Sequence, residues 1–250
     1  MSAEVRISVI TATWNSAPTI EACIQSLASQ VGVHREHLII DGGSTDGTMD
    51  VVRQHAEGID VCISEPDHGI YDALNKGMRL ASGDVVGFLH SDDVYASTDT
   101  LQKIAHAFRD PGVCAVYGDL QYVDRGDLTK VVRHWKSARF EVENLRRGWM
   151  PPHPTLYVRR EWYEKIGGFD LKYRIAADYF SVLSLFSSAD FRSVYIPEVL
   201  VKMRVGGVSN RSLRNLLIKS TEDLDALRRS GVGGVKTLFL KNLSKIHQFF

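Results

Sequence analysis

The stretch VVGFLHSDDVY, residues 85–95, decides the fold. Its mostly apolar start, Val85 to Leu89, predicts a strand buried on both faces, as in a parallel sheet. Polar residues follow at once: His90, Ser91, Asp92 and Asp93. Charged side chains are costly to place beside a buried strand unless they have a partner. Ligands of parallel sheets bind beyond the carboxyl ends of the strands, so this stretch predicts a ligand site.

Strands and helices alternate in the same way through the first 110 residues. Apolar β-rich runs predict strands at 5–11, 37–41, 60–64 and 84–89, and helical spacing predicts helices at 18–30, 44–55, 69–81 and 98–109. Such alternation is typical of an α/β, Rossmann-like fold. We therefore expect a mostly parallel sheet with helices on both faces.

The second half of the chain is less regular. Segments 113–124 and 128–135 predict two strands joined by a hairpin at residues 125–127, and 191–196 predicts another strand. Segments 160–170 and 176–186 predict helices, and two more helices follow residue 212, interrupted by glycines at 231–234.

The charge is balanced overall but not along the chain. The 250 residues contain 30 Lys/Arg and 30 Asp/Glu, yet residues 201–250 hold ten basic and three acidic groups. Segment 235–250 places apolar residues at helical spacing between lysines. It could lie on an anionic membrane surface, or pack on the body or on a second subunit in a homodimer. Both interpretations stay open.

Several classes of protein are disfavoured. Cys23, Cys62 and Cys114 form neither a disulfide framework nor a CxxC pair, which favours a cytoplasmic, reduced protein with cysteines in its core. We expect no signal peptide and no membrane-spanning helix. Dinucleotide and P-loop fingerprints do not occur, and we expect no nucleic-acid partner.

The paired carboxylates have two interpretations. Asp92 and Asp93 are the oxygen ligands that Mg²⁺ or Mn²⁺ prefers, together with waters and substrate phosphate oxygens. His90 could add a nitrogen ligand, which suits Mn²⁺ better. Alternatively, the segment is an acidic turn in which Asp92 caps the next helix.

Six motifs occur in a characteristic order: SVITATWN (8–15), IIDGGSTDGT (39–48), NKGMRLASGD (75–84), FLHSDDVY (88–95), KIGGFD (165–170) and AADY (176–179). Together they resemble the family 2 glycosyltransferases, which have the GT-A fold. The version SEPDHGIYDALNKGM (64–78) is similar to a branch linked to bacterial surface-polysaccharide and glycolipid assembly. The resemblance covers residues 5–208. It implies a GT-A domain at 1–208, with a nucleotide-binding half at 1–110 and an acceptor half at 111–208, followed by a helical appendage at 209–250.

The resemblance implies an inverting transfer of a hexosyl or N-acetylhexosaminyl group. The donor would be a nucleotide-diphosphate sugar, a UDP-sugar, and the acceptor a glycan or lipid-linked hydroxyl. The family's D-x-D metal motif falls on His90-Ser91-Asp92, so His90 replaces the first Asp. Asp93, Asp92 and His90 would hold Mn²⁺ or Mg²⁺, with Asp93 favoured. Asp178 would be the general base. Such an enzyme would act in the cytoplasm or at the inner face of the plasma membrane.

The resemblance also implies where the donor and acceptor bind. The donor site would comprise Thr11, Thr13, Trp14, Asp41, Asp67, Lys76, Ser91 and Asp92. Trp14 would lie against the nucleobase and Lys76 near the diphosphate. Gly42 replaces the second Asp of the usual DDG, and Asp67 could supply the missing contact. Trp149 and His153 would face the acceptor, and a loop at 203–210 with Arg204 would close over the donor.

Two other functions compete with this one. A non-catalytic nucleotide-sugar-binding paralogue could act as a scaffold in a polysaccharide-assembly complex, and His90 and Gly42 favour it. A nucleotidyltransferase would need a Gly-rich basic loop after the first strand, and TATWNSAPT is not one.

Overall fold

The computed structural model describes residues 4–206 and 213–246. Its first half contains four parallel strands, paired in the order β3-β2-β1-β4. They are β1 (Arg6–Thr13), β2 (His34–Asp41), β3 (Val61–Ser64) and β4 (Val85–Phe88). Thr13 pairs with Asp41, and Asp41 with Ser64, so these three strands end side by side.

The second half extends the same sheet. Its strands are β5 (Asp93–Tyr95), β6 (Ala115–Val123), β7 (Val131–Trp135), β8 (Tyr157–Arg159) and β9 (Ser193–Arg204). β8 is antiparallel to both β4 and β6, and β9 runs parallel to β6. β5 pairs antiparallel with β9, and β7 forms the expected hairpin with β6. The sheet is mostly parallel, as the sequence predicted.

Helices cover both faces of the sheet, which confirms the predicted α/β class. They are α1 (Ile20–Ala28), α2 (Thr48–Gln54), α3 (Ile70–Leu80), α4 (Thr100–Ala107), α5 (Val142–Arg146), α6 (Arg160–Ile166), α7 (Ala177–Phe186), α8 (Leu213–Arg229) and α9 (Val235–Ile246). Alternate β1 side chains point to opposite faces. Ile7 and Val9 pack with α1 and α4, whereas Ile10 and Ala12 pack with α3, α6, α7 and α8.

Helix α3 lies directly on β1. Its Ala73, Leu74 and Gly77 recur at helical spacing and are its buried residues. A Cβ atom at Gly77 would lie 2.4 Å from Ile10 Cγ2, so glycine allows this close approach. The contact holds the start of α3 beside the carboxyl ends of β1 and β2.

The C-terminal helices pack firmly against the core of the second half of the chain. Ala226 and Leu227 of α8 are fully buried in the main core. Lys241 of α9 is 2% exposed, pairs with Asp223 at 2.8 Å and lies over the Tyr179 ring. The appendage boundary predicted at 208/209 falls on 207–212, outside the described residues. Within 4–206 and 213–246, no helix is both long and apolar enough to cross a membrane.

The cysteine prediction was correct for two of three positions. Cys23 and Cys114 are buried and unpaired. Cys62 is unpaired but exposed, because it lies on the outer edge strand β3, whose residues alternate between half-buried and exposed.

Candidate active site

The loops after β1, β2 and β4 are tied together at one edge of the sheet. The backbone N–H of Asn15 donates to Ser44 Oγ at 2.8 Å, and the N–H of Thr45 donates to Asn15 Oδ1 at 2.9 Å. The Ser16 and Ser91 hydroxyls lie 2.9 Å apart. Ser91, a predicted donor-site residue, therefore links the first and fourth strand ends.

Asp41 shapes the loop after β2 instead of lining an open surface. It is fully buried. Its Oδ2 accepts from the N–H groups of Gly43 at 3.1 Å and Ser44 at 3.0 Å and from Ser64 Oγ at 2.6 Å. The Ser44 hydroxyl donates to its Oδ1. With both oxygens engaged in hydrogen bonds, the buried Asp41 carboxylate shapes the loop after β2 and is not accessible to a ligand.

Asp67 occupies the space beside Gly42. A Cβ atom at Gly42 would lie 2.5 Å from Asp67 Oδ2, so a side chain there would displace the carboxylate. The Gly69 N–H donates to Asp67 Oδ1 at 2.8 Å. Gly42 therefore leaves room for the Asp67 carboxylate, which comes from the loop after β3. In the usual DDG motif, the second Asp would supply a carboxylate from the loop after β2.

Trp14 and Thr13 reach this edge, but Thr11 does not. The Trp14 side chain is 67% exposed. Thr13 is 4% exposed, and its hydroxyl has no hydrogen-bond partner. Thr11 is fully buried, with its hydroxyl 3.1 Å from His37 Nε2. Its expected place in the donor site is corrected: it lies deeper in the β1–β2 pair, under the α1 face.

Lys76 is held away from a diphosphate by local partners. Its Nζ lies 2.9 Å from Glu65 Oε1 and 3.7 Å from Asp72 Oδ2, and it donates to the Pro66 carbonyl at 3.2 Å. The hydrogen bond with Glu65 raises the pKa of Lys76. In this geometry the lysine supports the loop that carries Asp67.

Asp92 and Asp93 differ in their surroundings. Asp93 is fully buried, and neither of its carboxylate oxygens makes a hydrogen bond of normal geometry. Burial, with the neighbouring Asp92 charge, raises the pKa of Asp93 well above its usual value. Asp92 is partly exposed, and burial raises its pKa as well. Arg204, 8% exposed, donates to the Asp92 carbonyl at 2.6 Å, so it fixes this turn from β9.

This carboxylate pair fits a divalent cation. A buried carboxylate without a partner is what a bound cation would neutralise. Among the described residues, no group of three or more His, Cys, Asp or Glu side chains could hold a metal. A cation bound here would therefore take its remaining ligands from water and diphosphate oxygens, as Mg²⁺ usually does.

His90 faces another histidine. Its Nε2 lies 3.3 Å from His153 Nε2, and the ring centroids are 5.4 Å apart. Its Nδ1 is buried with no hydrogen-bond partner. Burial, reinforced by His153, lowers the pKa of His90 to about 3. Because Nε2 faces His153, only the unpartnered Nδ1 could serve the predicted metal-ligand role.

Asp178 lies at the start of α7, next to His153. Its Oδ2 is 3.4 Å from His153 Nδ1, and its Oδ1 lies 3.0 Å from the Tyr71 hydroxyl, which also lies 2.6 Å from the Ile175 carbonyl and has one proton for the two acceptors. Burial raises the pKa of Asp178, but charge interaction with His153 and hydrogen bonds from the Tyr179 backbone and Tyr71 bring it below its usual value. With 21% of its side chain exposed, Asp178 is an ionised and accessible carboxylate.

A residue that the sequence did not indicate holds the segment before Asp178. Glu222 of α8 accepts from the backbone N–H groups of Arg174 at 2.9 Å, Ile175 at 2.8 Å and Ala176 at 2.9 Å. Nothing local marks Glu222, because its partners lie almost fifty residues earlier in the chain.

Of the two predicted acceptor residues, His153 lies beside Asp178 and Trp149 packs in the core. The Trp149 ring contacts Phe140 at 5.3 Å, Tyr117 at 5.6 Å and Phe186 at 5.6 Å between centroids. These aromatic contacts account for Trp149 without a ligand.

Comparisons with known sequences show the family, and comparisons with solved structures show the fold. The sequence model "Glycosyl transferase family 2" matches residues 8–176. A "PGL/p-HBAD biosynthesis glycosyltransferase" of Mycobacterium bovis is 32% identical over 210 residues, covering 81% of this chain and 78% of the relative. The mannosyltransferase PcManGT of Pyrobaculum calidifontis, solved with GDP-Man and Mn²⁺, is 22% identical with a TM-score of 0.67, over 95% of this chain and 69% of that one. S. aureus TarS 1–349 with UDP-GlcNAc is 17% identical with a TM-score of 0.67, over 91% and 66%.

Proposed function

Because the chain belongs to glycosyl transferase family 2, we propose that it transfers a sugar from a UDP-sugar to a glycan or lipid-linked hydroxyl with inversion. Asp178 is the general base in this proposal, and Asp92 and Asp93 hold Mn²⁺ or Mg²⁺. The transferred group is a hexosyl or N-acetylhexosaminyl residue.

One observation carries the proposal: the segment that contains the carboxylate pair is linked by contacts to the segment that contains Asp178. His90, two residues before Asp92, contacts His153 at 3.3 Å, and His153 contacts Asp178 at 3.4 Å. A displacement at the anomeric carbon requires carboxylates that hold the cation beside the donor diphosphate, and a base beside the acceptor hydroxyl.

The exposed Trp14 ring and the Asp67 carboxylate support a uracil base. Trp14 offers a flat face for stacking at the end of β1. Asp67 Oδ1 already accepts from the Gly69 N–H, which leaves Oδ2 free. This oxygen can accept the N3–H of uracil.

The reaction then follows from these groups. Asp178 accepts the proton of the acceptor hydroxyl, and that oxygen forms a bond to the anomeric carbon. The bond from the anomeric carbon to the diphosphate oxygen breaks, and the nucleoside diphosphate leaves with the electron pair. A bound Mn²⁺ or Mg²⁺ would neutralise the charge that develops on the diphosphate. The Tyr71 hydroxyl and His153 Nδ1 lie beside the Asp178 carboxylate, at 3.0 Å and 3.4 Å.

An apolar face of α9 supports an acceptor at a membrane surface. Val235 is 62% exposed, Phe239 62% and Leu243 42%, and their spacing of four residues places them on one face. The opposite face holds the buried Lys241 and Thr237. Residues 247–250, which include the last two phenylalanines of the predicted amphipathic stretch, lie outside the described residues.

Liposome flotation tests this membrane contact. Phe239→Ser with Leu243→Ser should abolish flotation with vesicles of anionic phospholipid, while Leu171→Ser, a change at an equally exposed leucine elsewhere, should not. A truncation is less suitable, because it would remove the buried Lys241–Asp223 ion pair. Equal flotation of the double variant and the wild type would refute the membrane contact.

A donor panel tests the enzymatic function. With Mn²⁺, wild-type protein should release nucleoside diphosphate from a UDP-sugar faster than from GDP- or dTDP-sugars, and Asp93→Asn should lose this activity. A protein that binds UDP in calorimetry but turns over no member of the panel would instead support the non-catalytic scaffold.

A further inference from the structure

The loop between β6 and β7, residues 124–130, lies at the same edge of the sheet as the carboxylate pair. β8 is antiparallel to both β4 and β6, so β4 and β6 run in the same direction, and β9 runs parallel to β6. The carboxyl ends of β4, β6 and β9 therefore meet at one edge, which is where ligands of such sheets bind. The loop continues directly from β6 at this edge.

Arg204, near the end of β9, joins this loop to the turn before β5. Its Nη1 donates to the Asp92 carbonyl at 2.6 Å, and its Nε donates to the Arg125 carbonyl at 3.2 Å. Arg204 is 8% exposed, so one buried guanidinium holds both backbones. The backbone of residue 125 is therefore fixed beside that of Asp92, although the two residues are far apart in the chain.

The loop also has a defined shape of its own. The Asp124 N–H donates to the Lys130 carbonyl at 2.9 Å, and the Gly126 N–H donates to Asp124 Oδ1 at 3.0 Å. Asp127 Oδ1 accepts from the Thr129 N–H at 2.8 Å. A side chain that starts from an ordered backbone loses less freedom when it binds a ligand.

The Arg125 side chain is an exposed cation at this edge. In the part of the chain that the structure describes, its guanidinium makes no hydrogen bond and no ion pair. Its charge nevertheless reaches Asp92: burial raises the pKa of Asp92, and the charges of Arg204 and Arg125 act against that rise. Arg125 is thus close enough to interact with the carboxylate but is not bonded to it.

We propose that Arg125 binds the diphosphate of the nucleotide-sugar donor and of the nucleoside diphosphate that leaves. This inference rests on the proposed function, in which a cation at Asp92 and Asp93 holds that diphosphate. A guanidinium can donate two parallel hydrogen bonds to phosphate oxygens. Lys76, the cation that the sequence indicated for this role, is engaged by its own neighbours.

The same contact assists the reaction. When the bond to the anomeric carbon breaks, the diphosphate keeps the electron pair and gains negative charge. A fixed cation beside it therefore binds the leaving group more tightly than the intact donor, which lowers the barrier to transfer.

Calorimetry with UDP and with uridine tests the contact without turnover. With Mn²⁺ present, Arg125→Gln should weaken UDP binding about 10- to 100-fold, and Arg125→Lys should weaken it less. Uridine, which has no phosphate, should bind all three proteins equally. Lys130→Gln is the matched control, because it removes another exposed cation of the same loop, 4.0 Å from Asp124 Oδ2, and should leave UDP binding unchanged.

Three results would overturn the contact. The first is an Arg125→Gln protein that binds UDP as tightly as the wild type. The second is an equal loss of uridine affinity, which would show a distorted base pocket. The third comes from titration with Mn²⁺ alone: Arg125→Gln removes a positive charge near Asp92 and should bind Mn²⁺ at least as tightly as the wild type, whereas weaker binding would show that Arg125 only shapes the metal turn.

Turnover separates this inference from the proposed function. If both are correct, Arg125→Gln lowers kcat/KM for the donor about 100-fold. A wild type that transfers sugar with a kcat/KM that Arg125→Gln leaves unchanged would support the function and refute the contact. Loss of UDP affinity in Arg125→Gln, with a wild type that transfers no sugar, would support the contact and refute the function. A wild type that binds neither UDP nor GDP would refute both.

Discussion

Glu222 provides the strongest test of how the C-terminal helices serve the site. Its carboxylate holds three successive backbone N–H groups, at 2.8 to 2.9 Å, directly before α7, the helix that carries Asp178 in its first turn. Glu222→Ala leaves these three donors without their acceptor. The segment that carries the base then loses its link to α8.

The size of the effect follows from these bonds. A hydrogen bond to a charged group contributes about 1.5–3 kcal/mol to stability. Because one half-exposed carboxylate serves all three, we expect Glu222→Ala to lower the free energy of unfolding by about 3 kcal/mol in total. For a chain of this length that corresponds to a fall in Tm of roughly 6–12 °C. The base would also lose its fixed position, and we expect kcat to fall about 10- to 100-fold.

Thermal unfolding and steady-state turnover measure both effects. Donor KM should stay unchanged, because the donor loops after β1 and β2 do not contact Glu222. Asp225→Asn is the matched control: it lies one turn further along α8 and pairs with Lys172 and Tyr173 side chains instead of the backbone. We expect little change from it, since exposed ion pairs contribute little. A folded Glu222→Ala protein with wild-type kcat would refute the reasoning.

Three further predictions concern the donor, the cation and the base. Trp14→Ala should weaken UDP binding about 10- to 100-fold in calorimetry through lost stacking, with Trp14→Phe near wild type; equal binding of both would contradict the stacking role. Mn²⁺ with UDP should raise the Tm of the wild type but not of Asp93→Asn, and an undiminished rise in the variant would place the cation elsewhere. Because the pKa of Asp178 lies below its usual value, the base is ionised at neutral pH and is lost only as the pH falls through that lowered pKa. The same ionised form stabilises the fold above the unfolded pKa of about 3.9, and this stabilisation also disappears toward lower pH. A loss of kcat near pH 6 that Asp178→Glu shifts would contradict this.

The first half of the fold was predictable because its signals are local. Four long apolar runs separated by amphipathic segments fix β1 to β4, and the rule for strand ends then locates the site. Strands β5 and β8 have three residues each, too few for a periodic pattern. Strand β9 continues to Arg204, although Pro197 indicates an end near residue 196, because the register with β6 shifts beside it.

The place of several candidate residues in the fold was predictable, but their contacts were not. Asp92, Asp93, Asp178 and Trp14 stand at the expected strand and helix ends. The engagement of Asp41 and Lys76 by neighbouring loops depends on tertiary packing, which no motif records. The His90–His153 contact spans 63 residues and the contact of Glu222 with Ile175 spans 47. Contacts of this kind leave no periodic signal in a single sequence.

The Asp178→Asn variant tests the central claim most directly. Asparagine keeps the shape of the side chain but cannot take a proton from the acceptor. With the best UDP-sugar of the panel and Mn²⁺, kcat should fall about 100- to 10,000-fold, while the affinity for UDP in calorimetry stays the same. A kcat within a few-fold of the wild type, with UDP affinity unchanged, would show that Asp178 is not the base and contradict the account.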